Sequence, residues 1–519
     1  MIYLLHHTLQ ATAERLPDQP AFRFGNQALT FEEMVIKTNQ LAHLLIESGV
    51  RRGDRVGVYL PRSLETAIAI YGIMQAGAVY VPLDPHVPAA RTLFLLKDCN
   101  IRHLVTHPAQ KRLFPELLTK DSKLHQVIGI SGDWPVPCVS WESLQQLPSG
   151  NPSVRILEMD LAYIMYTSGS TGTPKGIMHT HYSGLNYAKL SANLFGLGEG
   201  DRIGSHAPLH FDISTMAYFT APLVGATSII ISEAHTKLPA SLTELMQNEE
   251  LTVWYSVPLA LTQMLSQGLL EKRDLSHLRW VLYGGESFPI KHLSALMNLW
   301  PHARFCNVYG PAEVNQCTYY HLPGPPKGER SVPLGQVWDN TEMLIIDESD
   351  QPVAPGTPGE LLIRSITMMK GYWQQPELTK RSLYYRMRVP GHEEIFYRTG
   401  DLVILDEDNN LQFLGRKDRQ VKTRGYRVEL DEVEDRLLKI EAIMEAAVFS
   451  TSHESEGLLI EAAVILNKNA RATEEDLRKC LIEQLPMYAV PRAIHVLESL
   501  PRTSTGKINR LQLQQHFSK

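Results

Sequence analysis

The chain has 519 residues, 44% of them hydrophobic and 20% charged, which is the make-up of a globular protein with roughly three or four folding units. A formal net charge of -6 argues against broad nucleic-acid or anionic-membrane binding, which needs a basic face. The five cysteines are scattered without a CxxC pair, the N-terminal stretch MIYLLHHTLQ lacks the basic start and apolar run of a leader, and no segment approaches the ~18 apolar residues of a membrane span; these features lead us to expect reduced thiols and a cytoplasmic location.

Residues 1–60 read as a helix, short strands and a second helix over 31–48 that stops at Gly49. Strands are expected at 55–60 and 79–83, with a helix over 63–76 between them. The alternation of short apolar strands and helices continues through 101–106, 126–130, 161–166, 202–205 and 227–231, the pattern of α/β layers with largely parallel sheets. Residues 105–155, richer in proline and polar residues, read as a variable surface region. Beyond about residue 330, Pro/Gly turns and alternating strands such as 341–346 and 360–364 predict a β-rich subdomain. Charges then crowd together from Gly415, and a helix follows near Leu430 with Asp431 as its expected cap. Strands at 445–450 and 458–466 and a helix at 474–485 complete a small α+β domain. We place a domain boundary at about Gly415–Gln420, which divides the chain into 1–417 and 418–519.

Histidines are plentiful, 20 in all, but His6-His7 and the His179/His181 pair have no acidic or cysteine companions at ligand spacing and read as solvated or turn residues. More informative is AYIMYTSGSTGTPKG at 162–176. An apolar strand breaks into nine residues, Thr167–Lys175, of hydroxyls, glycines, one proline and one lysine, the composition that can hold a triphosphate with backbone amides, hydroxyls and a cation. It is not a Walker loop, because Lys175 is followed by Gly176 and another apolar run, so the expectation is strand–loop–strand. Downstream, His210-Phe-Asp-Ile-Ser214, Asn307-Val-Tyr-Gly-Pro-Ala-Glu313, Tyr397-Arg-Thr-Gly-Asp-Leu402 and Thr505-Gly-Lys-Ile-Asn-Arg510 each set a polar or charged side chain beside an aromatic residue or a glycine turn. Taken singly, Asp212 reads equally as the cap of a helix starting at Ile213, Asp401 as a turn residue and Lys507 as a solvated lysine.

Taken in order, with LTFEEM at 29–34, MQAGAVYVPLD at 74–84, GELLIRSITMMKGYW at 359–373, GRKDRQVKTRGYRVELDEVE at 415–434 and LPMYAVP at 485–491, these motifs resemble the adenylate-forming enzymes over nearly the full length. The likeness is to the amino-acid adenylation domains of non-ribosomal peptide synthesis and, within them, to free-standing L-prolyl-AMP ligases. It implies a large N-terminal domain of layered α/β subdomains plus a β-rich subdomain, and a small mobile C-terminal lid. It also implies ATP-dependent activation of an amino acid with Mg2+, then transfer to the phosphopantetheine thiol of a carrier protein. With no carrier motif after Arg510, that carrier is expected to be a separate protein.

By the same resemblance, Thr167, Ser168, Gly169, Ser170, Thr171, Gly172 and Lys175 clasp the phosphates, and Glu313 helps bind Mg2+, an ion suited to carboxylate and phosphate oxygens. Tyr309 stacks on adenine, Asn307 meets its amino edge and Asp401 takes the ribose hydroxyls, with Gly310, Phe413 and Arg416 in the same nucleotide site. Lys507 reaches the carboxylate and phosphate from the small domain, Asp418 is the hinge, and Lys422 and Gly425 serve the thiol step. Asp212 pairs with the α-ammonium group. Ile213, Met216, Leu282, Gly284, Val308, Gln316 and Cys317 line the side-chain pocket, with a further wall expected from residues 256–259. Apart from Asp212 and Lys507 the lining is uncharged, so an uncharged substrate side chain is expected, L-proline foremost. D-alanine, a small aliphatic amino acid, or an acyl or aryl acid handed to coenzyme A are the alternatives.

Three positions depart from the family pattern. Ala312 stands for threonine, which removes a hydroxyl near the α-phosphate and predicts slower chemistry; Asn509 stands for aspartate and Asp431 for glycine.

Overall fold

The computed structural model describes residues 1–119, 122–169, 173–328, 331–453, 456–468, 470–502 and 508–518. It separates into two compact units, one of Met1–Pro85, Leu95–Met165 and Gly176–Gly415, the other of His86–Phe94, Tyr166–Lys175 and Arg416–Lys519.

Two large sheets dominate the first unit. One runs, in spatial order, Gly371–Tyr372, Lys175–Thr180, Leu161–Thr167, Val79–Pro82, Arg55–Tyr59, His103–Thr106, Gln126–Ile128 and Cys138–Val139. Its strands from 55 to 139 pair in parallel. Their apolar runs face helices such as Phe31–Glu47 and Leu64–Gln75, as a sheet covered on its faces requires. The strand–loop–strand reading holds: Leu161–Thr167 and Lys175–Thr180 are neighbours in this sheet.

The second sheet runs Gln336–Val337, Thr318–His321, Arg304–Tyr309, Trp280–Gly284, Val253–Ser256, Arg202–Ser205, Thr227–Ile230, Pro20–Phe24 and Gln27–Thr30. Trp280–Gly284 lies parallel to both Val253–Ser256 and Arg304–Tyr309, whereas Thr318–His321 returns antiparallel to Arg304–Tyr309. The 310–317 turn that carries Glu313 therefore sits beyond the carboxyl end of a parallel strand, where open α/β sheets hold their ligands. The β-rich subdomain is a five-stranded sheet of Thr341–Ile346, Gly359–Ser365, His392–Leu405 and Leu383–Val389, with Leu411–Arg416 paired to His392–Leu405.

In the second unit, the three-stranded sheet of Ile443–His453, Gly457–Leu466 and Ala493–Val496 packs against Leu430–Leu438 and Glu474–Ile482 through Val433, Leu437, Val448, Ala462, Leu477 and Leu481. Asp431 is not the cap of its helix, because Glu429 occupies the N-cap position and the Asp431 carboxylate pairs with Arg419 instead. The histidine reading is also corrected. His6, His179 and His181 are buried, not solvated, and the Leu5 amide donates to His181 Nδ1 over 3.3 Å. Burial pushes the His181 pKa down to about 3, so it serves the core as a neutral ring. Among the described residues no group of three or more histidine, cysteine or acidic side chains is placed to hold a metal ion, and no helix is long and apolar enough to cross a membrane.

Candidate active site

The turn after Arg304–Tyr309 is shaped by its glycine. A Cβ at Gly310 would lie 1.9 Å from the Asn315 carbonyl oxygen, so the chain closes on itself there only without a side chain. Asn315 completes the bend with φ +59°, and Cys317 N donates to Tyr309 O over 2.9 Å. Glu313, carried at the apex, is fully buried at 0% exposure. One of its oxygens accepts from the Tyr372 hydroxyl at 2.7 Å, and its own carbonyl accepts from Met369 N at 2.7 Å. Thr367 Oγ1 donates to Val314 O at 2.7 Å, so residues 367–372 are stitched along the turn.

Beside it, the Tyr309 hydroxyl donates to the Asp401 carboxylate, and both residues are buried. Burial, reinforced by the Asp401 charge, holds the Tyr309 phenol well above its ordinary pKa. Asp401 does not lie in a turn: it belongs to the continuous strand His392–Leu405, where Gly400 takes φ +71° and the Asp401 amide donates to Thr399 Oγ1 at 3.1 Å. Phe413 packs on the cluster that contains Tyr309 and Tyr397. Asn307 Nδ2 donates to the Pro333 carbonyl at 2.8 Å. Tyr309, Gly310, Glu313, Asp401 and Phe413 thus converge on one neighbourhood.

Asp212 opens a short helical turn, Asp212–Ser214, and its Oδ1 accepts from the Ile213 amide at 2.9 Å. Phe211, not Asp212, occupies the N-cap position and no side chain caps the turn, so Asp212 is its first residue and not the cap of a helix starting at Ile213. Ile213, Met216, Leu282 and Val308 join one apolar cluster with Tyr255 and Cys306. Cys317 is buried in a different cluster, with Tyr309, Val314 and Leu334. At Gly284 a Cβ would lie 2.1 Å from the Val308 carbonyl oxygen, so close strand packing requires glycine there.

Just before residues 256–259, where a further wall is expected, stands Tyr255. Side chains alternate along a strand, so Tyr255, paired with Leu282, faces this cluster, whereas Trp254 and Tyr283 belong to the core on the opposite face. Gln316 Nε2 donates to the Tyr255 hydroxyl. Tyr163 and Tyr187, which the sequence did not single out, join Tyr255 around Asp212: burial raises all three phenol pKa values, and the Asp212 charge raises them further. The alternation in Val253–Ser256 was the signal for Tyr255; nothing local marked the other two.

In the second unit, Gly169 makes its turn under the same constraint as Gly310, with the Thr173 carbonyl oxygen 2.1 Å from where its Cβ would stand. Ser168 Oγ donates to the Arg427 carbonyl at 2.6 Å, and Lys175 is buried. Arg416 grips Asp418 through two 2.7 Å bonds. Burial opposes ionisation of Asp418, but this guanidinium holds its carboxyl below the usual range. Lys422 lies in the strand Gln420–Thr423, and Gly425 forms the following turn with φ +82°. Ser170, Thr171, Gly172 and Lys507 lie outside the described residues.

Glu313 thus lies buried near the hydrogen-bonded Tyr309–Asp401 pair, beyond the carboxyl end of the parallel strand Arg304–Tyr309. Residues 9–373 match the AMP-binding enzyme family and residues 432–507 match the AMP-binding enzyme C-terminal domain. The L-proline--[L-prolyl-carrier protein] ligase of Pseudomonas fluorescens is 31% identical over 511 residues, which cover 98% of each chain. Tyrocidine synthase 1 of Brevibacillus parabrevis is 35% identical over 511 residues, 98% of this chain but 44% of that protein, so the chain spans less than half of this relative's length. The amide bond synthetase McbA of Marinactinospora thermotolerans shares the fold with a TM-score of 0.87 at 23% identity, over 99% of each chain. The chain belongs to the AMP-binding enzyme family, the adenylate-forming ligases.

Proposed function

We propose that this enzyme activates an amino acid, L-proline best, to the aminoacyl adenylate and passes it to the phosphopantetheine thiol of a separate carrier protein. The observation that carries this reading is the setting of Asp212: a carboxylate at the edge of an otherwise uncharged cluster of Ile213, Met216, Tyr255, Leu282 and Val308. Such a site pairs with one ammonium group and penalises a second charge, since an unpaired charge in an apolar setting costs several kcal/mol. The resemblance to a proline ligase along its whole length supports the same choice.

In the first step a substrate carboxylate oxygen attacks the α-phosphorus of ATP, the bond to the β-phosphate bridging oxygen breaks, and pyrophosphate leaves. Asp212 orients the amino acid by its ammonium group, and the Tyr309–Asp401 pair sets the nucleotide, with Asp401 toward the ribose hydroxyls. Arg416 and Asn307 complete the nucleotide contacts. Loop 167–175 takes the β- and γ-phosphates, and Lys507 balances charge on the two reacting anions. Glu313, a buried hard-oxygen donor, suits Mg2+, and the ion would neutralise phosphate charge when bound. In the second step the carrier thiolate attacks the acyl carbonyl and AMP departs, with Lys422 and Gly425 beside the thiol.

Mass spectrometry of a holo-carrier protein incubated with enzyme, ATP and L-proline tests the whole sequence. The expected result is a gain of one prolyl group that requires ATP and the phosphopantetheine arm. Loading of coenzyme A with an aryl or fatty acid instead would overturn the proposal.

A further inference from the structure

Glu313 is supported on its other flank by a histidine that no step above uses. His179 is 2% exposed on the strand Lys175–Thr180, and its Nε2 lies 2.9 Å from the Ala312 carbonyl oxygen. A carbonyl only accepts, so Nε2 carries the proton. Nδ1 lies 3.3 Å from Ser183 Oγ, and the ring stacks on Tyr163 with centroids 4.8 Å apart. The imidazole is therefore fixed in plane, tautomer and direction. Burial pushes its pKa down to about 4, against weaker opposite pulls from the Ala312 carbonyl and the Glu313 charge, so it is a neutral donor near pH 7.

The second support stands on the neighbouring strand. Gly371–Tyr372 pairs antiparallel with Met178 and Ile177, which sets the Tyr372 hydroxyl on Glu313 Oε1 from a strand adjoining that of His179. One edge of the sheet thus grips both the peptide before Glu313 and the carboxylate itself.

We propose that His179 is a positioning residue for Glu313: with Tyr372 it fixes the direction in which the carboxylate meets a divalent cation on the nucleotide. The inference rests on the reading of Glu313 as the cation's protein ligand. Outer partners of metal-binding groups orient them, and their loss weakens metal affinity about 10–100-fold.

The test is Mn2+ binding to the enzyme in the presence of a non-hydrolysable ATP analogue, followed by electron paramagnetic resonance, alongside melting temperature and the KM for the amino acid. His179→Phe keeps a buried ring without a donor and is expected to weaken Mn2+ binding about tenfold. His179→Gln, which can still donate to the Ala312 carbonyl, is expected to recover most of that loss, and the amino-acid KM is expected to stay unchanged in both. Tyr372→Phe, which removes one hydroxyl, supplies an independent variant with an expected loss of the same kind. Glu313→Ala separates the two levels: unchanged Mn2+ binding in that variant would remove the reading of Glu313 itself. If Glu313→Ala weakens binding while His179→Phe lowers only the melting temperature, His179 is core packing and the positioning role is overturned.

Discussion

Glu313 and Asp212 are both carboxylates for which we propose a charged partner, yet the protein holds them in opposite ways. Glu313 is sealed at the apex of a turn that requires Gly310, with a tyrosine on its side chain and a histidine on the peptide before it. Asp212 is half-buried at the start of a three-residue turn, with its own Ile213 amide on one oxygen and phenols around it. The surroundings of Glu313 are organised by a sheet edge and those of Asp212 by short-range geometry, which in the proposed function its occupant completes. Mutations that remove the occupant's partner should therefore act on substrate affinity at Asp212, whereas changes around the nucleotide turn should act on alignment.

Asp212→Ala should have the largest effect. Stranding the substrate ammonium costs about 3–5 kcal/mol, a loss of at least about a hundredfold in kcat/KM for the amino acid. ATP affinity measured by calorimetry should hold, and an unchanged amino-acid KM would reduce Asp212 to a turn residue. Lys507→Ala should follow, with adenylate formation slowed by about 10²-fold or more, as for loss of a transition-state charge partner. Thioester formation from supplied aminoacyl-AMP should be spared, and equal slowing of both half-reactions would contradict a role confined to the first step.

Tyr309→Phe should be milder. It takes one hydrogen bond from a buried carboxylate, about 1.5–3 kcal/mol for a charged partner, and should raise the KM for ATP while leaving the amino-acid KM in place. Ala312→Thr should be smallest and opposite in sign. Restoring a hydroxyl next to Glu313 is worth about 0.5–1.5 kcal/mol and should speed pyrophosphate release a few-fold. A slower variant would show that the turn, packed against His179, no longer accepts the larger residue.

The architecture was legible because it is written in short-range signals: apolar runs for strands, 3.6-residue spacing for helices, glycines at the stops. The 55–60 and 79–83 strand expectations come within a residue of Arg55–Tyr59 and Val79–Pro82. Errors arose where one residue's neighbour is distant in the chain. Asp401 follows a glycine and reads as a turn, but pairing with Gly359–Ser365 keeps its segment extended. His179 belongs to a run read as apolar, but its ring was read as solvated or in a turn, whereas Tyr163 and Ala312 bury it from two other segments. Tyr255 was not named although the alternation of Val253–Ser256 marks it, because the pairing with Leu282 is what assigns that face to this cluster.

The central claim is that an uncharged pocket around Asp212 selects a small neutral amino acid. The direct measurement is pyrophosphate exchange with each of the twenty amino acids in turn. The account predicts a profile led by L-proline, with small aliphatic residues next, since one methylene is worth only roughly 1–3 kcal/mol of discrimination. A profile led by a charged or large aromatic amino acid would contradict it.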